Sequence, residues 1–201
     1  MDFGTWPRLL VVDVEGNGQS MPDLVEVAAI PIEHGRPVPT LARATLIRPP
    51  QPITPFATRI HGITNQFVAN APSWEEIAPA VQRDLTGCWI AAHNASVDYG
   101  VLKRHLSSWE PAGVIDTLRL ARATFVDGPR YGLDALIEHT RIDLSAVPGQ
   151  RHRAGFDAHA TALLLINMAA HYPTWEALIA AAVPAGMPGA PEPDHEEQPL
   201  W

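Results

Sequence analysis

The sequence predicts an α/β sandwich built on one mixed sheet of five strands flanked by helices. Two observations predict it. Strand-like segments come first in succession and then alternate with helical ones, until helices alone follow; that order gives a mixed sheet in a layered sandwich. The chain has 201 residues, 46% of them hydrophobic, which suits one domain with a substantial core. No internal repeat or second core is visible.

The first strand is expected over residues 8–14, where Leu9-Leu10-Val11-Val12 is continuously apolar and therefore buried on both faces. Residues 24–32 and 40–48 read as the next two strands. Gly16-Asn17-Gly18-Gln19-Ser20 and His34-Gly35-Arg36-Pro37 are turn material. Pro49, Pro50, Pro52 and Pro55 enforce an extended connection. Ser73-Trp74-Glu75-Glu76 is a capping box that opens a helix running to Leu85. Residues 88–92 form a buried fourth strand, a helix follows near 97–106, and a short strand lies near 113–115. Further helices fit 117–124, 131–140, 156–171 and 174–182. Trp74, Trp89 and Trp175 sit in amphipathic or apolar contexts and read as core. From Val183 onward the composition shifts to Pro, Gly, Ala and acids. The expected organisation is a domain over 1–183 and a flexible tail over 184–201.

Composition narrows the function. No apolar run approaches the roughly 20 residues that cross a bilayer, so a membrane partner is not expected. Met1–Trp6 lacks the basic-then-apolar pattern of a signal peptide. Cys88, the single cysteine, lies in an apolar stretch and reads as a core thiol in a reducing compartment. A cytoplasmic location is the expectation. Net charge is −8, half of it from Glu192, Asp194, Glu196 and Glu197. Proteins that coat duplex nucleic acid are usually basic. This balance suits an enzyme that grips a short strand end with cations offsetting its acids.

Four apolar residues lead into Asp13-Val14-Glu15. Strand side chains alternate, so Asp13 and Glu15 share a face. Two acids so placed repel each other, and a divalent cation relieves that cost; a strand ending in solvent is the other reading. His93-Asn94-Ala95-Ser96-Val97-Asp98 follows the fourth strand and puts Asp98 in a first helical turn, where complementing the helix dipole is sufficient explanation. His152-Arg153-Ala154-Gly155-Phe156-Asp157 opens the long helix. There Asp157 is again a first-turn acid, and Arg151 and Arg153 either form a solvated face or meet phosphates.

In order, these stretches give an acid pair on the first strand, a lone acid after a central strand, and a histidine five residues before another acid. The set resembles the histidine-containing (DEDDh) branch of the DnaQ-like 3′–5′ exonuclease superfamily. Its motifs are most similar to DNA polymerase III epsilon-type proofreading subunits. Ile60-His61-Gly62-Ile63-Thr64, Asp116-Thr117-Leu118-Arg119-Leu120-Ala121-Arg122 and Tyr131-Gly132-Leu133-Asp134-Ala135-Leu136 support the resemblance, which covers about residues 8–172. It implies a ribonuclease H-like fold and hydrolysis of single-stranded DNA from the 3′ end, releasing nucleoside 5′-monophosphates. Two divalent cations, Mg2+ with Mn2+ as substitute, are the implied cofactors. The absence of a Cys cluster argues against zinc. By resemblance Asp13, Glu15, Asp98 and Asp157 are the metal-ligating acids. His152 is the general base, since an unperturbed imidazole titrates near pH ~6.5 and accepts a proton from water.

Gly16 and Asn17 stand where the family often carries Thr-Gly or Thr-Thr-Gly, and with His61 and Asn94 they are the expected substrate-binding residues. For His61 a purely local structural role is the competing reading, and His93 and Asn94 are also suited to satisfying backbone groups at the strand end. An RNA-directed enzyme of the same superfamily, or an idle nucleic-acid-binding domain, are the alternatives. A DNA polymerase or sliding clamp is the implied protein partner, and Glu197-Gln198-Pro199-Leu200-Trp201 loosely resembles a clamp-binding peptide.

Overall fold

The computed structural model describes residues 2–38, 43–128 and 130–191. Strands Leu9–Gly16 (β1) and Leu24–Glu33 (β2) pair antiparallel. On the other side β1 pairs in parallel with Trp89–Ala92 (β5), which pairs in parallel with Gly113–Asp116 (β6). Arg36–Pro37 (β3) and Arg43–Leu46 (β4) both pair antiparallel with β2. The sheet is therefore mixed, as expected, but has six strands rather than five. The added one is the two-residue β3, formed because His34 and Gly35 adopt positive φ and fold the chain straight back onto Ile32 and Glu33. The predicted third strand over 40–48 is present as β4, with residues 40–42 outside the described residues.

The sheet buries two different faces. Leu9, Val11, Ala28 and Ile30 point to one side, beneath Ala154–Ala169 (α6) and its neighbours Thr117–Thr124 (α4), Leu133–Thr140 (α5) and Trp175–Ala182 (α7). Leu10, Val12 and Ile90 point to the other, against Trp74–Leu85 (α2) and Ala95–His105 (α3). α6 is apolar around most of its circumference, as a helix enclosed between a sheet and other helices must be. It can lie close to the sheet because Gly155 has no side chain: a Cβ there would sit 3.2 Å from Ala44 Cβ. Cys88 is buried, as are Trp74 and most of the apolar residues of β1. Trp89 and Trp175 are partly buried and meet edge-on, with ring centroids 5.1 Å apart.

One helix departs from expectation. The proline-rich connection contains Pro55–His61 (α1). Thr54 accepts from the Ala57 N–H, Pro55 takes the first helical position where a missing N–H costs nothing, and left-handed Gly62 ends the helix. The capping box of α2 forms as read, with the Ser73 N–H donating to Glu76 at 2.6 Å.

The segment after Val183 does not leave the domain at once. The Val114 N–H donates to Pro188 O at 2.9 Å, and left-handed Gly189 lies so close to the Trp89 indole that a Cβ would stand 2.5 Å from it. The remainder of the expected tail, 192–201, lies outside the described residues. Among the described residues no helix is long and apolar enough to cross a membrane.

Asn17 anchors the 17–23 turn. Its side chain is fully buried, donates to the Asp23 carboxylate at 3.0 Å and to Gln51 O, and accepts from the N–H groups of Gln19 and Asp23. Asn17→Ala strands these groups without partners, so it should destabilise the fold by about 2–3 kcal/mol. Urea denaturation of the purified variant measures this.

Candidate active site

The site forms where β1 outruns β5. Parallel pairing of the two strands stops at Val11–Ala91, and the chain leaves β5 through His93 and Asn94 into α3. β1 continues for five residues alongside β2 alone, which opens a crevice at the carboxyl end of the central strands. Asp13 and Glu15 point to the α6 side by the alternation that buries Leu9 and Val11 there. Asp157, in the first turn of α6, completes the group: ligand oxygens of Asp13, Glu15 and Asp157 all lie within 4.8 Å of one another.

Asp98 approaches along the edge of β1 that β5 has left. The Val14 N–H, left without a strand partner by the end of β5, donates to Asp98 Oδ1 at 3.1 Å. Asp98 is thus buried beside the triad but is not part of it. Of the four acids expected to ligate metal, the structure gathers three into one cluster and sets the fourth beside it, at the edge of β1 that β5 has left.

Burial and crowding push these carboxyls upward. Desolvation is the largest cause for each. Glu15 is raised to about 8, with Asp157 and Glu26 adding repulsion and Arg153 opposing it. Asp98 is raised to about 7 by burial and Asp116, against the pull of the Val14 hydrogen bond. Asp13 stands well above its ordinary value, with Asp98 and Glu15 next in effect after desolvation. Asp157 is raised less, held back by His152. A hard divalent cation fits this all-oxygen donor set and would relieve the repulsion; Asp13, Glu15 and Asp157 are the residues that can hold it.

His152 stands at the rim. It is exposed, its backbone is left-handed with φ 60°, and its N–H donates to Asp157 Oδ2 at 3.0 Å. His61 is interior. Its Nδ1 accepts from the Ile63 N–H at 3.0 Å, so Nε2 carries the proton and donates to Gly16 O at 3.3 Å. Burial lowers its basicity, and both nitrogens are occupied in tying α1 to the end of β1. The Asn17 side chain is fully buried and its amide fully used in the 17–23 turn, so the side chain itself has no free group to offer a nucleotide. Asn94 is exposed and left-handed at the start of α3, with its N–H donating to Asp116 Oδ1. His93 is spent on Thr117 Oγ1 and Tyr131 O.

Two residues escaped the sequence reading. Glu26 faces Glu15 directly across β1–β2 and is buried against Arg153. Asp116 gathers the N–H groups of Asn94, Leu118 and Arg119 at the end of β6. An acid within the apolar β2 run, matched by an arginine before α6, was the available signal for the first.

An exonuclease family model, that of RNase_T, matches residues 10–165. The chain belongs to this exonuclease family. It is a member of the DnaQ-like 3′–5′ exonuclease superfamily, and its fold is ribonuclease H-like. It is 34% identical over 161 residues to exodeoxyribonuclease 10 of Escherichia coli K12, covering 80% of this chain and 68% of that protein. It is also 34% identical over 166 residues to a PolC-type DNA polymerase III of Caldanaerobacter subterraneus subsp. tengcongensis. That match covers 80% of this chain but only 11% of the polymerase. A solved structure of exonuclease X in complex with 5′-overhanging duplex DNA superposes with a TM-score of 0.71 at 32% identity. It covers 85% of this chain and 96% of that one.

The raised carboxyls of this exonuclease domain set a pH dependence. The folded state binds more protons than the unfolded one, so their contribution to stability is complete below the ordinary values of 4.5 for Glu15 and 3.8 for Asp98. It is lost as pH rises through about 7 for Asp98 and about 8 for Glu15. In EDTA, the melting temperature should fall between pH 5 and 8, and Mg2+ should offset the fall by binding the ionised form. A melting temperature that climbs across this window in EDTA would contradict the assignment.

Proposed function

We propose that the protein is a divalent-cation-dependent 3′–5′ exonuclease that removes nucleotides from single-stranded DNA ends. The observation that carries this reading is the convergence of Asp13, Glu15 and Asp157 within 4.8 Å at the open end of β1. Relatives named as an exodeoxyribonuclease and a DNA polymerase support DNA as substrate. A polymerase or clamp partner belongs to the same proposal.

The reaction joins a water oxygen to phosphorus and breaks the bond from phosphorus to the 3′ oxygen of the penultimate nucleotide. A nucleoside 5′-monophosphate leaves, and the shortened strand keeps a 3′-hydroxyl. Two divalent cations held by the acids would supply charge stabilisation for the attacking and leaving oxygens. Asp98, buried beside Asp13, adds its charge to the site and fixes the end of β1 through Val14. His152, exposed and with its backbone N–H on Asp157, is the proposed acceptor of the proton from the attacking water. Its exposed position lets it reach a strand end that enters from solvent.

Large apolar side chains lie exposed around these elements. The Phe67 ring lies by the Arg153 guanidinium, and exposed Ile60 and Val97 immediately precede His61 and Asp98 in the sequence. Such surfaces suit unpaired bases, whose flat faces stack without regard to sequence.

Digestion of matched 5′-labelled single-stranded DNA, single-stranded RNA and 5′-overhanging duplex DNA, with Mg2+ or EDTA, tests the proposal. A Mg2+-dependent ladder on DNA, lost in Asp157→Ala, is expected. A ladder on RNA alone would move the substrate to RNA, and no ladder from folded protein would remove the catalytic reading. His152→Ala should lower kcat by about 100-fold or more while DNA binding persists. Parent-like turnover would remove His152 from the mechanism.

A further inference from the structure

Glu26 is the third residue of the largely apolar β2 and is almost wholly buried, at 4% exposure. Its two carboxylate oxygens take three donors from one short segment. Arg153 Nη2 donates to Oε1 at 2.6 Å, Arg153 Nε to Oε2 at 3.0 Å, and the Ala154 N–H to Oε2 at 2.9 Å. A forked guanidinium pair with an added backbone donor fixes direction as well as distance. It also offsets the repulsion between Glu15 and Glu26, which are directly opposed in the strand register. The Phe67 ring lies on the same guanidinium, with its centroid 5.8 Å from Arg153 Cζ.

The clamped segment is the turn that carries His152. A non-glycine residue with φ 60° is held against its own preference, so its neighbours must keep it there. On one side Arg151 reaches Asp134 in an exposed pair, a type that contributes little. On the other is the buried Glu26–Arg153 pair. Arg153 is also the N-cap residue of α6, four positions before Asp157.

We propose that Glu26 is a positioning residue for hydrolysis: through Arg153 and Ala154 it fixes the turn that presents His152 to the reacting strand end. Arg153, committed to Glu26, then orients the base instead of binding a phosphate. This inference rests on the exonuclease reading above.

The test is steady-state kinetics of Glu26→Gln in the full chain, made both in the parent and in His152→Ala, with Mn2+ affinity measured by calorimetric titration. Glu26→Gln should lower kcat about 10- to 100-fold with KM and Mn2+ affinity held within about twofold, because misplacement of a reacting group is felt in turnover. In the His152→Ala background the same change should cost less than about twofold, since two residues that act as a unit are not additive. An equal loss in both backgrounds would mean a merely structural role and would overturn the proposal. So would parent-like turnover, or a loss confined to KM. Arg153→Lys, which keeps the charge but not the fork, should reproduce the pattern if Glu26→Gln does not fold. A parent that is inactive with Mg2+ or Mn2+ would instead refute the exonuclease reading and carry this proposal down with it, whereas an active parent with an indifferent Glu26→Gln refutes the clamp alone.

Discussion

The crowding of carboxylates at the end of β1 is the constraint around which this structure is arranged. Asp13 and Glu15 are forced onto one side by strand geometry, and α6 brings Asp157 to the same place. Bringing such groups together out of water is unfavourable, and the fold holds them there by packing Val11 and Leu9 immediately beneath. The site is therefore a region of stored repulsion set on a rigid apolar base. In the proposed reaction a cation that relieved the repulsion would also supply the charge stabilisation, so binding and function would draw on one source of free energy.

Around this centre, hydrogen bonds fix the backbone that presents the acids. The end of β1 has lost one strand neighbour, and two of the groups left over are taken by side chains. Asp98 receives the Val14 N–H, and His61 donates to Gly16 O. Asn17 ties off the following turn. These residues are buried and polar for the same reason: a sheet that stops on one side and continues on the other leaves main-chain groups that water cannot reach. Their local role does not require contact with a substrate.

Much of this was legible in the sequence. The apolar run before Asp13-Val14-Glu15 announced the central strand and the shared face of its acids, and the positions of Asp98 after its strand and of Asp157 at the opening of the long helix placed both in first helical turns. What was hidden depended on distance along the chain. No local pattern joins Glu26 to Arg153, 127 residues apart. The burial of Asn17 follows from Asp23 and Gln51 closing over it, which a turn-rich stretch does not disclose. α1 was concealed by its prolines, although Pro55 behind Thr54 and Gly62 after His61 are helix-end signals. The compositional change at Val183 was visible, but the fit of Gly189 against Trp89 needed three dimensions.

That last contact has a consequence for how the molecule keeps to itself. β6 closes the β3-β2-β1-β5-β6 path of the sheet, and a final strand offers its free amides to any extended chain that comes near. Pro188 takes one of them, and Met187 and Ala190 lie over the adjoining core. Residues 184–190 thus serve as a selvedge, a woven border that keeps the sheet from being extended by a stranger. Trimming the chain at the compositional boundary would remove this border, whose contacts extend to Ala190.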